Sequence, residues 1–264
     1  MKTRTRHHAA RTVLVPEAAA AGSGRFVALA GASLHHLVKV LRLEWGSAIR
    51  AVDGAGGLFE AELARENGRG GIRLGKLLHR DPKPTVAELW ICLPKSSTMD
   101  WIVEKAVECG ATAVVPVVSS RSVVRPDPKE SEKYVGRWQK IMDEATEQSG
   151  RTWRALVRPP AAWPAIGEAS GSGGGASFAF VSELRESEDA ERLFGESWKK
   201  LQANGKAPMR ILIGPEGGFS PDEREEMGKS GFEELSLGKT VLRVETAVVA
   251  ALTLVRLSRA LSTT

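Results

Sequence analysis

The chain has 264 residues, 42% hydrophobic and 26% charged, which is enough to bury a large core in one or two domains. No apolar run approaches the roughly 18 residues needed to span a bilayer. The basic start, MKTRTRHHAARTVLV, lacks the apolar segment of a signal peptide, so a cytoplasmic protein is expected. Charge is uneven: residues 1–80 carry 13 Lys/Arg against 6 Asp/Glu, net +7, and the remainder carries 24 against 26, net −2. Such asymmetry points to a polyanion-binding module at the amino-terminal end.

From Arg11 to about Lys83 short apolar-alternating runs (RTVLV, RFVAL, SAIRAVD, LFEAELARE, GIRLGKLLH) are separated by Gly, Asp or Asn, the pattern of a small β-barrel. His35-His36-Leu37-Val38-Lys39-Val40-Leu41-Arg42 interrupts them as a basic, helix-like turn. Aromatics suited to base stacking are few here, with only Phe26, Trp45 and Phe59, so shape and backbone charge are favoured over a base-by-base code.

Asp81-Pro82-Lys83-Pro84 stiffens the chain and marks a boundary, giving domains over 1–83 and 84–264. Beyond it strands and helices alternate, which implies a mostly parallel sheet. VAELWICLP is a strand, STMDWIVEKAVECG a helix burying Ile102, Ala106 and Cys109, and Ala113 to Val118 the next strand. Lys95 ends the first of these strands, and Ser120-Arg121-Ser122 follows the second, where open α/β sheets bind ligands. Lys133 to Gln148 is an amphipathic helix carrying Trp138, Ile141 and Met142, ending in EQSGR. ASGSGGGA (169–176) is a low-complexity linker, then come a strand over Ser177 to Ser182, Glu183, and an amphipathic helix over Ser187 to Asn204. Cys92, Cys109 and the five histidines show neither a zinc pattern nor any other metal-ligand spacing, and both cysteines read as packing residues.

Two glycine turns close the chain. The buried strand Ile211-Leu212-Ile213 breaks into Gly214-Pro215-Glu216-Gly217-Gly218, and Ser220, Pro221 and Glu223 then form a capping box. A P-loop would need Gly-Lys-Ser/Thr, and the glycine spacing is not GxGxxG. With Glu216 in the turn, a neutral or cationic ligand is favoured. The second turn, Leu235-Ser236-Leu237-Gly238, runs through Lys239 to Arg243 into a last helix beginning near Val244, with small Thr246, Ala247 and Ala250.

GPEGGFSxxE followed by LSLGxxxLRxETA resembles the carboxyl-terminal signature of the RsmE-type 16S rRNA uridine N3-methyltransferases of the SPOUT superfamily. HHLVKVLRLEWG, DWIVEKAVECG, the RS after the second strand and EQSGR match that family too, so the resemblance covers nearly the whole chain from Arg11. It implies an α/β fold: a carboxyl-terminal SPOUT domain with a deep trefoil knot, preceded by a small PUA-like β-barrel. It also implies a homodimer and transfer of a methyl group from S-adenosylmethionine to uracil N3 at the position conventionally numbered 1498. By the same resemblance, Glu183, Gly214, Glu216, Gly218, Leu235, Leu237, Gly238, Leu242 and Thr246 would surround the cofactor. Arg243, with Arg121 and Arg151 as alternatives, would stabilise charge on the base. Arg25, Lys39, Arg42, Lys95, Gln148 and Ser149 would contact RNA. Two other readings stay open: a non-catalytic RNA-binding or ribosome assembly protein on this fold, and a SPOUT methyltransferase acting on another RNA.

Overall fold

A computed structural model describes residues 11–122, 124–163, 175–180 and 190–262. They fall into two compact units: residues up to Pro84 together with Thr146–Arg154, and Thr85–Ala145 together with the residues from Ala155 onward.

The first unit is a five-stranded sheet. β1 (Thr12–Leu14), α1 (Ala18–Ala21), β2 (Phe26–Ala28) and α2 (Gly31–His35) lead into a π-helical turn over His36–Val40. Strands β3 (Ala48–Val52), β4 (Gly57–Glu66) and β5 (Arg69–Arg80) follow, and the strand order is β1-β3-β4-β5-β2. Alternation along β4 sends Phe59, Ala61 and Leu63 inward, where they meet Val13, Ile49, Ile72 and Leu74. The basic helix-like turn expected at HHLVKVLR is therefore two short helical pieces, with Leu37 buried and Lys39 exposed.

Thr146–Arg154, expected within the second domain, is counted with the first unit because its polar groups are tied to residues there. Glu147 Oε1 accepts the Leu14 amide at 2.9 Å, Gly56 N donates to Thr152 O at 3.0 Å, and Thr152 Oγ1 donates to Asp81 Oδ2 at 2.5 Å. Trp153 Nε1 reaches Asp81 O at 3.2 Å. Glu147, the first residue of the EQSGR run, thus takes part in holding the fold.

In the second unit β6 (Ala87–Cys92), α3 (Ser96–Glu108), β7 (Ala113–Val118) and α4 (Pro128–Ser149) are followed by β8 (Leu156–Val157) and β9 (Ala161–Ala162). Then come β10 (Ala176–Phe180), α5 (Ala190–Asn204), β11 (Met209–Ile213), α6 (Pro221–Lys229), β12 (Phe232–Leu235) and α7 (Val244–Leu261). The strands form one parallel sheet of order β12-β10-β11-β6-β7-β8, with β9 also on β7. Both faces are covered, which is why VAELWICLP reads as a continuous apolar run. Leu89 and Ile91 point to one core with Ile102, Met142 and Val248, while Trp90 and Cys92 point to the other with Phe219 and Met227.

The helix expected from Lys133 begins earlier, at Pro128. Glu130 N donates to Asp127 Oδ1 at 2.8 Å, and Asp127 N to Glu130 Oε2 at 3.1 Å, a reciprocal cap with proline at the first helical position. Helix α7 buries Val244, Val248, Ala251, Leu252 and Val255 along one stripe and packs on α3, α5 and β11. Arg259 in its last turn donates to Thr85 O at 3.1 Å and Val86 O at 2.6 Å, pinning the end of the chain to the start of β6. Both cysteines are free thiols.

Candidate active site

The carboxyl ends of β6, β10, β11 and β12 open on a cavity of about 580 Å³. That lies within the range of about 300–1,000 Å³ usual for small-molecule sites. Its walls are the two glycine turns and the entry to α7. The first turn needs glycine at 214, because a Cβ there would sit 2.9 Å from the Phe219 ring, which folds back beneath it into the core. Polar ties below the cavity hold this turn in place. The buried Glu223 carboxylate accepts the Ser220 amide at 2.8 Å and the Ser120 amide at 2.7 Å, and the Arg121 guanidinium donates to Gly217 O. Arg125 Nη2 fastens the same loop through Ser119 O at 3.1 Å and Ser120 O at 2.7 Å. The second turn hangs from α5: Ser197 Oγ accepts the Ser236 amide at 3.0 Å, and Ser236 Oγ accepts the Gly238 amide at 3.1 Å.

Several residues singled out from the sequence come together here. Gly214, Glu216 and Gly218 line the cavity from the first turn, and Leu237, Gly238, Leu242 and Arg243 from the second. Lys95, expected at RNA, lines the same cavity. Leu235 does not: it is buried in the core beneath the turn, as the last residue of β12. Thr246 is exposed and outside the lining, since its position in the first turn of α7 lies off the face that meets the cavity. Arg121 likewise lies outside, its guanidinium engaged by the glycine turn. Arg151, Gln148 and Ser149 are counted with the first unit, as are the exposed Arg25, Lys39 and Arg42. Glu183 and most of the Gly/Ser-rich linker lie outside the described residues.

Sequence reasoning missed Thr98, Phe180, Arg224, Val241 and Glu245 in the lining. Glu245 had a mark, an acidic residue two places after Arg243, but that is also the ordinary charge preference of a helix's first turn. Val241 is 76% exposed, an apolar group at the mouth that core packing does not explain.

The electrostatics of the cavity are unusual in one respect. Lys95, Glu216, Arg243 and Glu245 make no side-chain hydrogen bond or ion pair among the described residues. Lys95 and Arg243 are also the N-cap residues of α3 and α7, and neither helix has a side-chain cap. Two helix ends carrying partial positive charge, each with a cation, therefore meet two uncommitted carboxylates. A ligand excluding water from these groups must itself carry both signs of charge, because an unpaired buried charge is costly. No thiol supplies a nucleophile: burial pushes Cys92 up to about 12, against a lowering hydrogen bond from Ser119, with Glu223 adding to the rise. Lys105, on α3, is bound to Glu104 at 2.7 Å and Glu108 at 2.8 Å, an ordinary surface cluster.

A doubly covered parallel sheet with a cavity at its carboxyl ends defines an α/β protein of the ligand-binding, enzyme-like class. The chain belongs to the RsmE-type RNA methyltransferase family: the RNA methyltransferase domain matches residues 81–256, and the RNA methyltransferase PUA domain matches residues 29–74. It is 33% identical over 227 residues to the ribosomal RNA small subunit methyltransferase E of Synechocystis, covering 86% of this chain and 71% of that protein. Against the protein of that name from Bacillus subtilis it is 27% identical, covering 85% of this chain and 87% of that one. Among solved structures, a Legionella pneumophila protein described as a methyltransferase with the bound cofactor SAM superposes with a TM-score of 0.78 at 25% identity, covering 94% and 98% of the two chains. The Neisseria gonorrhoeae ribosomal RNA small subunit methyltransferase E bound to S-adenosyl methionine gives 0.72 at 26%, covering 92% and 95%.

Proposed function

We propose that this protein transfers the methyl group of S-adenosylmethionine to N3 of a uracil in 16S rRNA, at the position conventionally numbered 1498. The observation that carries the reading is the cavity between the glycine turns, with two cations and two carboxylates that have no partner among the described residues. S-adenosylmethionine fits this donor set, since it carries a carboxylate, an ammonium and a sulfonium beside an adenine that hydrogen-bonds well to turn amides. When bound, it supplies an electrophilic methyl group on positive sulfur. Gly214 and Gly238 would allow close backbone approach to it, Leu237 and Leu242 would supply apolar contact, and Glu216 would balance its positive charge.

Uracil N3 is a poor nucleophile until its proton leaves. Glu245 accepts that proton, and Arg243 at the amino end of α7 stabilises the charge left on the ring, with Lys95 in the same cavity. Arg121 acts indirectly, by holding the Gly217 carbonyl and hence the turn. In the same reading the chain after 83 is the methyltransferase domain and forms a deep trefoil knot. The adjacency of β10, β11 and β12, each ending at the site, supports that threading. The protein acts as a homodimer in the cytoplasm, on the small ribosomal subunit or its RNA.

Calorimetric titration with S-adenosylmethionine, repeated with Gly218→Arg, tests the cofactor site, and nucleoside analysis of small-subunit RNA after incubation tests the product. Binding by the parent, none by the variant, and N3-methyluridine at a single position are expected. A folded parent that binds cofactor neither alone nor with small-subunit RNA would leave a non-catalytic RNA-binding protein. Methylation of tRNA in place of 16S rRNA would change the substrate.

A further inference from the structure

We infer that Trp45 and Arg65 form a stacking site for one unpaired RNA base on the first unit. The inference rests on the RNA substrate proposed above. Trp45 is 41% exposed, although its side chain is the largest apolar group in the surrounding residues. The Arg65 guanidinium carbon lies 4.8 Å from the centre of its ring. Arg65 makes no hydrogen bond or ion pair among the described residues, despite three glutamates on its own strand. Two of these are engaged elsewhere, Glu66 with Arg73 at 3.0 Å and Glu60 with Lys76 at 3.4 Å. The guanidinium and indole therefore form a composite flat, cationic surface.

The platform is seated by a missing side chain. Gly70 stands opposite Arg65 in the β4–β5 ladder. A Cβ at Gly70 would lie 2.5 Å from one Leu34 methyl and 3.0 Å from Trp45 Cη2. Glycine lets both side chains lie down on the hairpin, so the ring is ordered before any ligand arrives, which lowers the entropy cost of binding. Three residues before Trp45, the exposed Arg42 has a φ of +53°, a left-handed conformation costly for a residue with a Cβ. Arg42 and Lys39 have no partner among the described residues, and all of these residues fall within the matched PUA domain. Cations to meet phosphate beside a flat ring to meet a base are what a single-stranded RNA segment requires, and stacking needs no particular base. Lys39, Arg42 and Arg65 outnumber Glu44 and Glu62 around the ring, which favours a polyanion over a protein partner.

The test uses the full-length chain and a fluorescein-labelled single-stranded fragment of small-subunit rRNA, with a duplex of the same sequence as control. Trp45→Ala should weaken single-strand binding roughly 5- to 160-fold, the range of one lost base stack. Trp45→Phe should keep most of the affinity, duplex binding should be unchanged, and KM for RNA should rise without a fall in kcat. Parental melting temperature and S-adenosylmethionine affinity in both variants would show that the fold and the cavity are intact. Trp45→Ala binding the single strand like the parent would overturn the site, as would equal losses on single strand and duplex. If the parent methylates rRNA and the alanine variant has parental KM, only the stacking site is lost. If the parent binds neither RNA, the substrate reading falls with it.

Discussion

Two helices of the second unit begin beside the same cavity, and their amino ends are built oppositely. α6 is saturated by its own side chains: Ser220 Oγ accepts the Glu223 amide at 3.2 Å, and Glu223 reaches back to the Ser220 amide and across to Ser120. α7 starts at Val244 with no side-chain cap, the cation Arg243 at its N-cap, and Glu245 without a partner among the described residues. Stability alone favours the first arrangement, since capping a helix is worth about 1 kcal/mol. The difference separates a helix end that holds a loop in place from one left available to a ligand.

The sharpest way to break this comparison is at Arg243. Arg243→Ala should lower kcat by about 10²–10³, the usual loss for one group facing developing charge, with little change in melting temperature. A fall in melting temperature that accounts for the lost activity would make Arg243 a structural residue and erase the contrast. Glu245→Gln should lower kcat by roughly 10²-fold at neutral pH with cofactor affinity retained. Its deficit should shrink as hydroxide rises, and a pH-independent deficit would take the proton-acceptor role away.

At the other helix end the expected effects reverse. Glu223→Gln turns one carboxylate oxygen into a donor facing an amide, so urea unfolding should show a loss of about 1–3 kcal/mol. Activity per folded molecule, extrapolated to saturating cofactor, should change less than with either α7 variant. The smallest effect concerns Cys92. Its thiol, raised from 9.0 to about 12 by burial, holds its proton in the folded chain after the unfolded chain has lost its own. Its contribution to stability is thus complete below pH 9 and declines as pH rises toward about 12, and Cys92→Ala should flatten that alkaline slope. At pH 8 the native protein should resist thiol reagents at this position, and rapid labelling would contradict the burial.

Much of the second unit was readable because its signals are local. The helix after the glycine turn has its cap in the sequence SPDE, and the apolar runs of β6, β7 and β11 declare strands covered on both faces. The early start of α4 was equally written, in Asp127-Pro128-Lys129-Glu130, but the apolar periodicity that located the helix begins only later. The glycine turns are recognisable as a ligand site, and the resemblance implies Leu235 and Thr246 around the cofactor, although the side chains of neither line the cavity. Which way a turn residue points depends on the strand and helix around it: Leu235 completes β12 and goes inward.

What the sequence by itself determined is therefore the set of elements, the two turns and the chemistry within a few residues of each. Only the tertiary structure decided which of those pieces meet. Arg121 finds Gly217 across 96 residues and Ser120 finds Glu223 across 103, and Lys95 joins Arg243 in one cavity. Thr146–Arg154 is held with the first unit by Leu14, Gly56 and Asp81. Caps, turns and strand runs are governed by neighbouring residues in the chain. These pairings instead depend on the sheet order, which sets side by side strands far apart in sequence and brings their loops to one end.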